Sequence, residues 1–333
     1  MMTVSLCVVA YNEEAFLPNL LGDLEKQTYP HELTEIVLVD GNSSDNTKKI
    51  MQEFAQRSES FYSVQVLDNP KRIQSAGWNV AIANAKSDVI VRIDAHTHIP
   101  PEFAARNMEL QEKGEFVTGG VRPCLIDKPT SWKKTLLEVE NSLFGSSIAG
   151  SRHSNEKKYV KSMFHAAYRR EVFEKAGVFN EKLLRTEDNE MHYRIRQAGY
   201  KLYFDPEIIS YQYARSSLKK MIKQKYGNGY WIGLTVGVCP GCISVYHFVP
   251  FVFILGILFT SLLACFGIWQ LAALMWGAYL LFTLLSTAMT VIKGNGNIST
   301  VCMPALFLIL HLSYGIGTVV GLVKMPWWRK RNK

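Results

Sequence analysis

The sequence predicts an α/β domain with a mainly parallel sheet and helices on both faces, followed by a C-terminal hydrophobic region. Three observations carry that expectation. Short apolar runs without polar alternation, the mark of strands buried on both faces, recur between helical patterns in the N-terminal part of the chain. Acidic residues stand where several of these runs end. The segment from His247 to Val323 holds one basic residue other than histidine, Lys293, and no Asp or Glu.

Val4 to Ala10 is a continuous apolar run and reads as the first strand. After Tyr11-Asn-Glu-Glu14, Phe16, Leu17, Leu20, Leu21 and Leu24 recur at helical spacing, and Pro18 falls near the start, where a missing N–H is tolerated. Glu35 to Asp40 is the second strand. Asp40-Gly-Asn-Ser-Ser-Asp-Asn-Thr47 is a turn in which Ser44 or Asp45 caps the helix through Ile50 and Phe54. Val64 to Leu67 is a third strand, Ser75 to Ala85 a small-residue helix, and the largely β-branched Val89 to Ile93 a fourth strand. Strands and helices alternating at this spacing make βαβ units.

Beyond Pro101 the pattern loosens. Phe116 to Val121 reads as a strand, Trp132 to Leu143 as a helix, and the polar run Ser146 to Lys158 as a mobile loop. Arg169 to Ala176 and Glu187 to Gln197 are helices, the latter stopped by Gly199. Tyr200 to Phe204 and Ile208 to Tyr213 are strands. Residues 1–215 thus form one catalytic-sized domain, and 216–246 an interfacial segment whose helix, Ser216 to Tyr230, is basic and amphipathic. The remainder, 247–333, is a membrane region.

Its three apolar stretches, about 247–268, 271–292 and 304–323, are each long enough to span a bilayer. The mean hydropathy of +0.01 therefore averages two unlike regions. The net charge of +8 concentrates at the membrane approach, in Lys219, Lys220, Lys223 and Lys225, and in Lys324, Arg329, Lys330 and Arg331. That distribution suits anionic lipid headgroups and argues against a nucleic-acid partner, which would want a basic face on the soluble domain. The lysines before the first stretch place the soluble domain in the cytoplasm, at the inner (plasma) membrane. Three crossings would then leave the basic tail outside, against the same rule: either the Gly-rich last stretch (Gly315, Gly317, Gly321) does not cross fully, or the tail breaks the rule. The chain enters its first strand at once, so it reads as lacking a cleaved leader. The six cysteines are scattered and read as reduced thiols, with Cys239-Pro-Gly-Cys242 a tight turn beside the membrane.

The chemistry points to acidic positions at strand ends and helix starts: Glu13, Asp40, Asp94 and Asp188. Each alone is an ordinary capping residue; four in order along one α/β sheet fit a nucleotide pocket at the sheet's C-terminal edge. If the chain stays extended past Asp94, then Asp94, His96 and His98 project to one side, a set able to hold Mg²⁺ or Mn²⁺. The alternative is a solvated turn before Pro100-Pro101. Lys71, Arg72 and Arg92 are candidate phosphate-side charges, although Arg92, within a strand, serves equally as a structural ion-pair partner.

Leu6-Cys-Val-Val-Ala-Tyr-Asn-Glu-Glu14, Val39-Asp-Gly-Asn-Ser-Ser-Asp-Asn-Thr47, Arg92-Ile-Asp-Ala-His-Thr97 and Thr186-Glu-Asp-Asn-Glu-Met-His-Tyr-Arg-Ile-Arg-Gln-Ala-Gly199 resemble the ordered motifs of family-2 glycosyltransferases with the GT-A fold. Asp-Ala-His, with Phe164-His-Ala-Ala-Tyr-Arg-Arg170, Tyr226-Gly-Asn-Gly-Tyr-Trp231 and the hydrophobic tail, is similar to the membrane-anchored exopolysaccharide enzymes of the succinoglycan type. The resemblance implies that Tyr11, Glu13 and Asp40 border the base and ribose of a nucleotide-sugar donor, with Asp40 accepting from a uracil imide. It places Asp94 against the ribose and metal-bridged diphosphate, and His96 where most of the family has a second Asp, as a direct metal ligand. An imidazole there shifts preference toward Mn²⁺. His98 is a neighbour. Asp188 is implied as the base of an inverting transfer, with Glu187 positioning it. The polymerising members' Gln-x-x-Arg-Trp motif is absent, since the comparable region reads Gln224-Lys-Tyr-Gly-Asn-Gly-Tyr-Trp231. Addition of one sugar to a polyprenyl-linked glycan acceptor follows, with a polyprenyl-phosphate sugar synthase or a non-catalytic nucleotide-sensing scaffold as alternatives.

Overall fold

The computed structural model describes residues 1–145, 155–214 and 217–331, so most of the expected mobile loop lies outside the described residues. The chain clusters into two compact units, residues 1–125 with 151–213, and 126–150 with 214–333.

In the first unit β1 (Val4–Ala10), α1 (Leu17–Glu25), β2 (Thr34–Asp40), α2 (Thr47–Arg57), β3 (Ser63–Asp68), α3 (Gln74–Asn84) and β4 (Val89–Asp94) follow the expected alternation. β5 (Thr97–His98), α4 (Phe103–Glu112), β6 (Val117–Val121) and β7 (Cys124–Leu125) come next. In the second unit lies α5 (Ser131–Asn141); the chain then returns through β8 (Lys158–Val160), β9 (Ala167–Arg169), α6 (Arg170–Ala176), α7 (Glu187–Gln197), β10 (Leu202–Ile209) and β11 (Tyr211–Tyr213). Among the described residues the main sheet runs β3-β2-β1-β4-β9-β6-β10-β8, with β5-β11-β7 a small second sheet. β1 to β4 are mutually parallel; β9 enters antiparallel between β4 and β6.

The absence of alternation in the strands has a direct cause. Leu6, Val8, Ile36, Leu38, Val91 and Ile93 face one way, into a core with α1, α2 and α4. Cys7, Val37, Val39 and Ile90 face the other, against α3, α6 and α7. Leu17, Leu20, Leu21 and Leu24 of α1 are all buried. At about 1.5–3 kcal/mol per buried leucine they hold this helix to the sheet, and Leu20→Ala would cost about 2–5 kcal/mol. α2 begins at Thr47 with Asn46, rather than Ser44 or Asp45, at its N-cap; the Asp45 carboxylate, one residue earlier, accepts from the Thr47 amide at 3.0 Å. α7 ends before Gly199, whose φ of +92° suits a residue without Cβ. The two strands expected over residues 200–213 divide later than their sequence suggests: β10 carries Pro206 within a register shift between Asp205 and Ile209, and the break falls at Ser210.

The second unit adds α8 (Leu218–Thr235), α9 (Val249–Cys265), α10 (Gln270–Ile292) and α11 (Met303–Arg331). α5 goes with this unit rather than with a continuous domain of residues 1–215. Its Leu136 and Val139 share a core with Met221 of α8 and with Leu306, Phe307 and Leu310 of α11. Within Cys239-Pro-Gly-Cys242, Pro240–Cys242 forms a 3₁₀ turn, and no disulfide joins any of the six cysteines. Three helical stretches, Val245–Cys265, Gln270–Ile292 and Ile298–Arg331, are long and apolar enough to cross a membrane. The last does not stop at Val323 but continues as helix through Pro326 to Arg331.

Candidate active site

Strand register assembles the site. Ala10 lies beside Asp40 and Val9 beside Asp94, so the ends of β1, β2 and β4 meet at one edge of the sheet. A cavity of about 240 Å³ opens there, and Tyr11, Glu13, Arg72, Asp94 and His96 all line it. Asn69 and Gln74 line it too, without having been singled out from the sequence.

Asp94 is 9 % exposed. Gln74 Nε2 lies 3.3 Å from its Oδ1, His165 Nε2 3.3 Å from its Oδ2, and Arg92 Nη2 3.7 Å from Oδ1. Burial by itself raises the Asp94 carboxyl, but the His165 hydrogen bond, with Arg92 and His96 beside it, outweighs it and holds the group well below the usual carboxylate range. Burial pushes the His165 imidazole down, so at neutral pH its Nε2–H donates to Asp94 while Nδ1, 2.8 Å from Ser210 Oγ, accepts.

The chain does not stay extended after Asp94. It turns at Ala95–His96, and β5 leaves to pair with β11. His98 is thereby carried off to Asp23, 2.7 Å from Nδ1, and stacks on Tyr211. The projection of Asp94, His96 and His98 to a common side is therefore corrected: only the first two border the cavity. His96 Nδ1 lies 3.2 Å from Glu13 Oε1, and Nε2 3.0 Å from Gln212 Nε2. Among the described residues no three His, Cys, Asp or Glu side chains converge as a metal cage.

Arg92 gathers the remaining acids. Its guanidinium pairs with Asp188, reaches Glu187 at 3.5 Å and Asp94 at 3.7 Å, and lies over the rings of Trp78 and Phe179 at 4.7 and 5.5 Å. Of the two readings of this residue, the ion-pair partner is the one realised. Burial raises the Glu187 carboxyl, with Arg92 opposing. Two expected donor-binding residues lie off the cavity lining. Asp40 is buried, its carboxylate accepting from the Ser43 amide at 3.1 and 3.4 Å, and Lys71 pairs with Glu181 at 2.6 Å.

Backbone strain collects here. Asn12, Asn42, Arg72, His165 and Thr186 have φ between +46° and +67°, a region that costs non-glycine residues of order 1–3 kcal/mol. All five flank the residues just described. Thr186 makes the turn that aims Glu187 and Asp188, at the positive end of α7, toward Arg92.

Residues 5–177 match the family described as Glycosyl transferase family 2. The chain belongs to that family. The curated succinoglycan biosynthesis protein ExoA of Rhizobium meliloti is 30 % identical over 68 % of this chain and 68 % of its own length. An enzyme of Methanococcus voltae, dolichyl N-acetyl-α-D-glucosaminyl phosphate 3-β-D-2,3-diacetamido-2,3-dideoxy-β-D-glucuronosyltransferase, is 26 % identical over 96 % of this chain and 97 % of its own. Among solved structures, the mannosyltransferase PcManGT of Pyrobaculum calidifontis, in complex with GDP-Man and Mn²⁺, covers 98 % of this chain and 87 % of its own at TM-score 0.57 and 17 % identity. The fold is GT-A.

Within this family-2 glycosyltransferase, sequence reasoning missed Gln74, His165 and Gln212 as partners of Asp94 and His96. His165 had a signal, being the histidine of Phe164-His-Ala-Ala-Tyr168. Gln74 and Gln212 had none, since no local pattern marks a lone glutamine.

Proposed function

We propose that the chain is an inverting, metal-dependent glycosyltransferase that moves one sugar from a nucleotide diphosphate donor, probed first as UDP-sugars, to a lipid-linked glycan. The cavity edged by Asp94 and His96, joined through Arg92 to Asp188, is the observation that carries this reading. Tyr11 and Glu13 flank the base and ribose, Asp40 shapes the turn beneath them, and Arg72 faces the phosphates, with Lys71 beyond the cavity rim. Asp188 takes the proton of the acceptor hydroxyl as it attacks the anomeric carbon opposite the diphosphate. Glu187 and Arg92 hold Asp188 in place.

A divalent ion, Mn²⁺ or Mg²⁺, suits this edge. Asp94 offers an ionised carboxylate and His96 a ring nitrogen whose partner, the Gln212 amide, is neutral and exchangeable. Asp94 and His96 would hold such an ion with two protein ligands, few enough for a hard cation that also binds a nucleotide. When bound, the ion offsets the charge developing on the departing diphosphate.

Apolar helices α9 to α11 associate the chain with a membrane, and the lysines of α8 favour a cytoplasmic orientation at the inner membrane. Residues 216–246 then serve as the interfacial segment. The test is a donor screen on membranes with Mn²⁺, read by nucleoside diphosphate release. Release that depends on both donor and lipid acceptor supports the reading; tight UDP binding with no turnover of any donor would leave a non-catalytic binder. A polyprenyl-phosphate acceptor is the second reading. It is favoured by an undecaprenyl-phosphate 4-deoxy-4-formamido-L-arabinose transferase of Pseudomonas savastanoi, 36 % identical over 41 % of this chain.

A further inference from the structure

The three apolar stretches differ in what covers them. Within its most apolar window α9 is 0 % buried and α10 6 % buried, whereas the stretch containing α11 is 44 % buried. α11 is covered by α5 along its first turns, where Leu136 and Val139 meet Leu306, Phe307 and Leu310, and by α8 from Tyr314 onward; it also meets the start of α9, where a Cβ on Gly315 would lie 2.4 Å from the Pro250 carbonyl oxygen, and α10, where the Tyr279 hydroxyl lies 2.9 Å from His311 Nδ1. The α8–α11 contact is backbone to backbone. A Cβ on Gly317 would lie 2.2 Å from the Tyr226 carbonyl oxygen, one on Gly321 2.1 Å from that of Tyr230, and one on Gly229 2.0 Å from that of Tyr314. Tyr226–Gly317, Tyr230–Gly321 and Gly233–Leu322 rise together, so the two helices run side by side in the same direction.

That register fixes the depth of the α8 lysines. Extended backward, it sets Lys219 beside Leu310 and Lys223 beside Tyr314, the middle of the apolar stretch 304–323. Lys219, Lys220 and Lys223 are exposed, while Lys225 is buried against Glu140 at 2.7 Å. An α11 crossing the bilayer would hold three exposed ammonium groups near the centre of a hydrocarbon layer about 30 Å thick. No such conflict arises for α9 and α10. Val249 to Ile292 has no charged residue, and even the connection between the two helices presents Phe266 and Trp269 to the outside.

We infer that α9 and α10 enter the membrane as a pair while α8 and α11 lie together against the headgroups of the leaflet they enter from. The basic groups Lys219, Lys220 and Lys223 and Lys324, Arg329, Lys330 and Arg331 then face one and the same anionic lipid surface. The conflict between three crossings and the positive-inside rule disappears, because the number of crossings is even. This inference is independent of the catalytic reading.

The experiment uses the full chain in sealed vesicles of both orientations. In a background with its cysteines replaced by serine, Lys220→Cys and Lys330→Cys are labelled with a membrane-impermeant maleimide. Both should react from the same side, whichever orientation is used. Reaction from opposite sides overturns the inference. Trypsin added to sealed vesicles of the unaltered protein gives a second measure that needs no variant. Cuts after Lys220 or Lys223 and cuts after Arg329 or Lys330, read by mass spectrometry, should appear in the same vesicle orientation. Cuts at the two clusters in opposite orientations refute it.

Discussion

Asp188→Asn tests the catalytic assignment most directly. The replacement keeps the side chain's size and one oxygen for Arg92 while removing the charge that can accept a proton. Arg92 is not stranded, since Glu187 at 3.5 Å and Asp94 at 3.7 Å remain around it. The loss to folding is then one charge-assisted hydrogen bond, about 1.5–3 kcal/mol, which a domain with two extensive cores survives. The loss to the reaction is that of a general base, about 10²- to 10⁴-fold in kcat, or ~3–5 kcal/mol of barrier. Donor affinity should move little, because Asp188 does not line the cavity bordered by Tyr11, Glu13 and Arg72. The assay is initial-rate transfer at saturating Mn²⁺, with the donor KM measured alongside and the melting temperature with and without UDP confirming that the variant folds. A folded variant retaining transfer within about fivefold of the parent would refute Asp188 as base. It would move the reading toward a phosphate acceptor, which needs little base assistance.

Arg92→Met should leave Glu187, Asp188 and Asp94 without their shared cation and destabilise the protein by about 3–5 kcal/mol in chemical denaturation. Arg92→Lys, which restores charge but not the planar fork, should recover most of that stability and less of kcat. His192 is wholly buried between Ser162 and Tyr168, and burial, then Arg92 and Arg196, pushes it down to about 3. The unfolded chain, with an ordinary value near 6.5, binds the extra proton between those limits, so His192 subtracts stability as pH falls from about 6.5 toward 3. His192→Gln should flatten the pH dependence of melting in that window by up to one proton, about 1.4 kcal/mol per pH unit. Gly321→Leu should force α8 away from α11 and lower the melting temperature of detergent-solubilised protein, by overpacking of about 1–3 kcal/mol or more, since the obstacle is the Tyr230 carbonyl.

Much of the first unit was legible because its strands are buried on both faces, which writes them as unbroken apolar runs, and because Asp40 and Asp94 end the two strands that flank β1. What was not legible depended on distance or on a single turn. Arg92 and Asp188 meet from distant motifs, and neither carries a local sign of the other. The turn at Ala95–His96 decides that His98 goes to Asp23, and Ala-His gives no turn signal of the usual glycine or proline kind. β9 has only three residues, too short to show a period, and it lay unassigned before the expected helix from Arg169. α5 was readable as a helix, but its membership in the second unit rests on Leu136 and Val139 meeting α11, a long-range packing choice. The active-site strain at Arg72 and Thr186 left no trace either, since neither is a residue type that favours positive φ.

The charge balance of the site carries one more consequence. Asp94, Glu187 and Asp188 gather round the guanidinium of Arg92, with Arg185 adding a weaker pull on Glu187, and the neutral His165 adds no positive charge while it holds Asp94 ionised. A nucleoside diphosphate in this cavity would face the Asp94 carboxylate, with Arg72 the arginine on the same lining. Two like charges about 4 Å apart repel by about 4 kcal/mol at an effective dielectric constant near 20, enough to weaken binding by roughly three orders of magnitude. An added divalent ion reverses the sign of that interaction. Removal of metal with EDTA should therefore weaken UDP affinity, measured by calorimetry, by at least about a hundredfold, and Asp94→Asn should reduce that dependence on metal. Equal UDP affinity with and without the chelator would mean that the diphosphate does not approach Asp94. The cavity would then bind the nucleoside alone, and the leaving group would have to be stabilised by Arg72 instead.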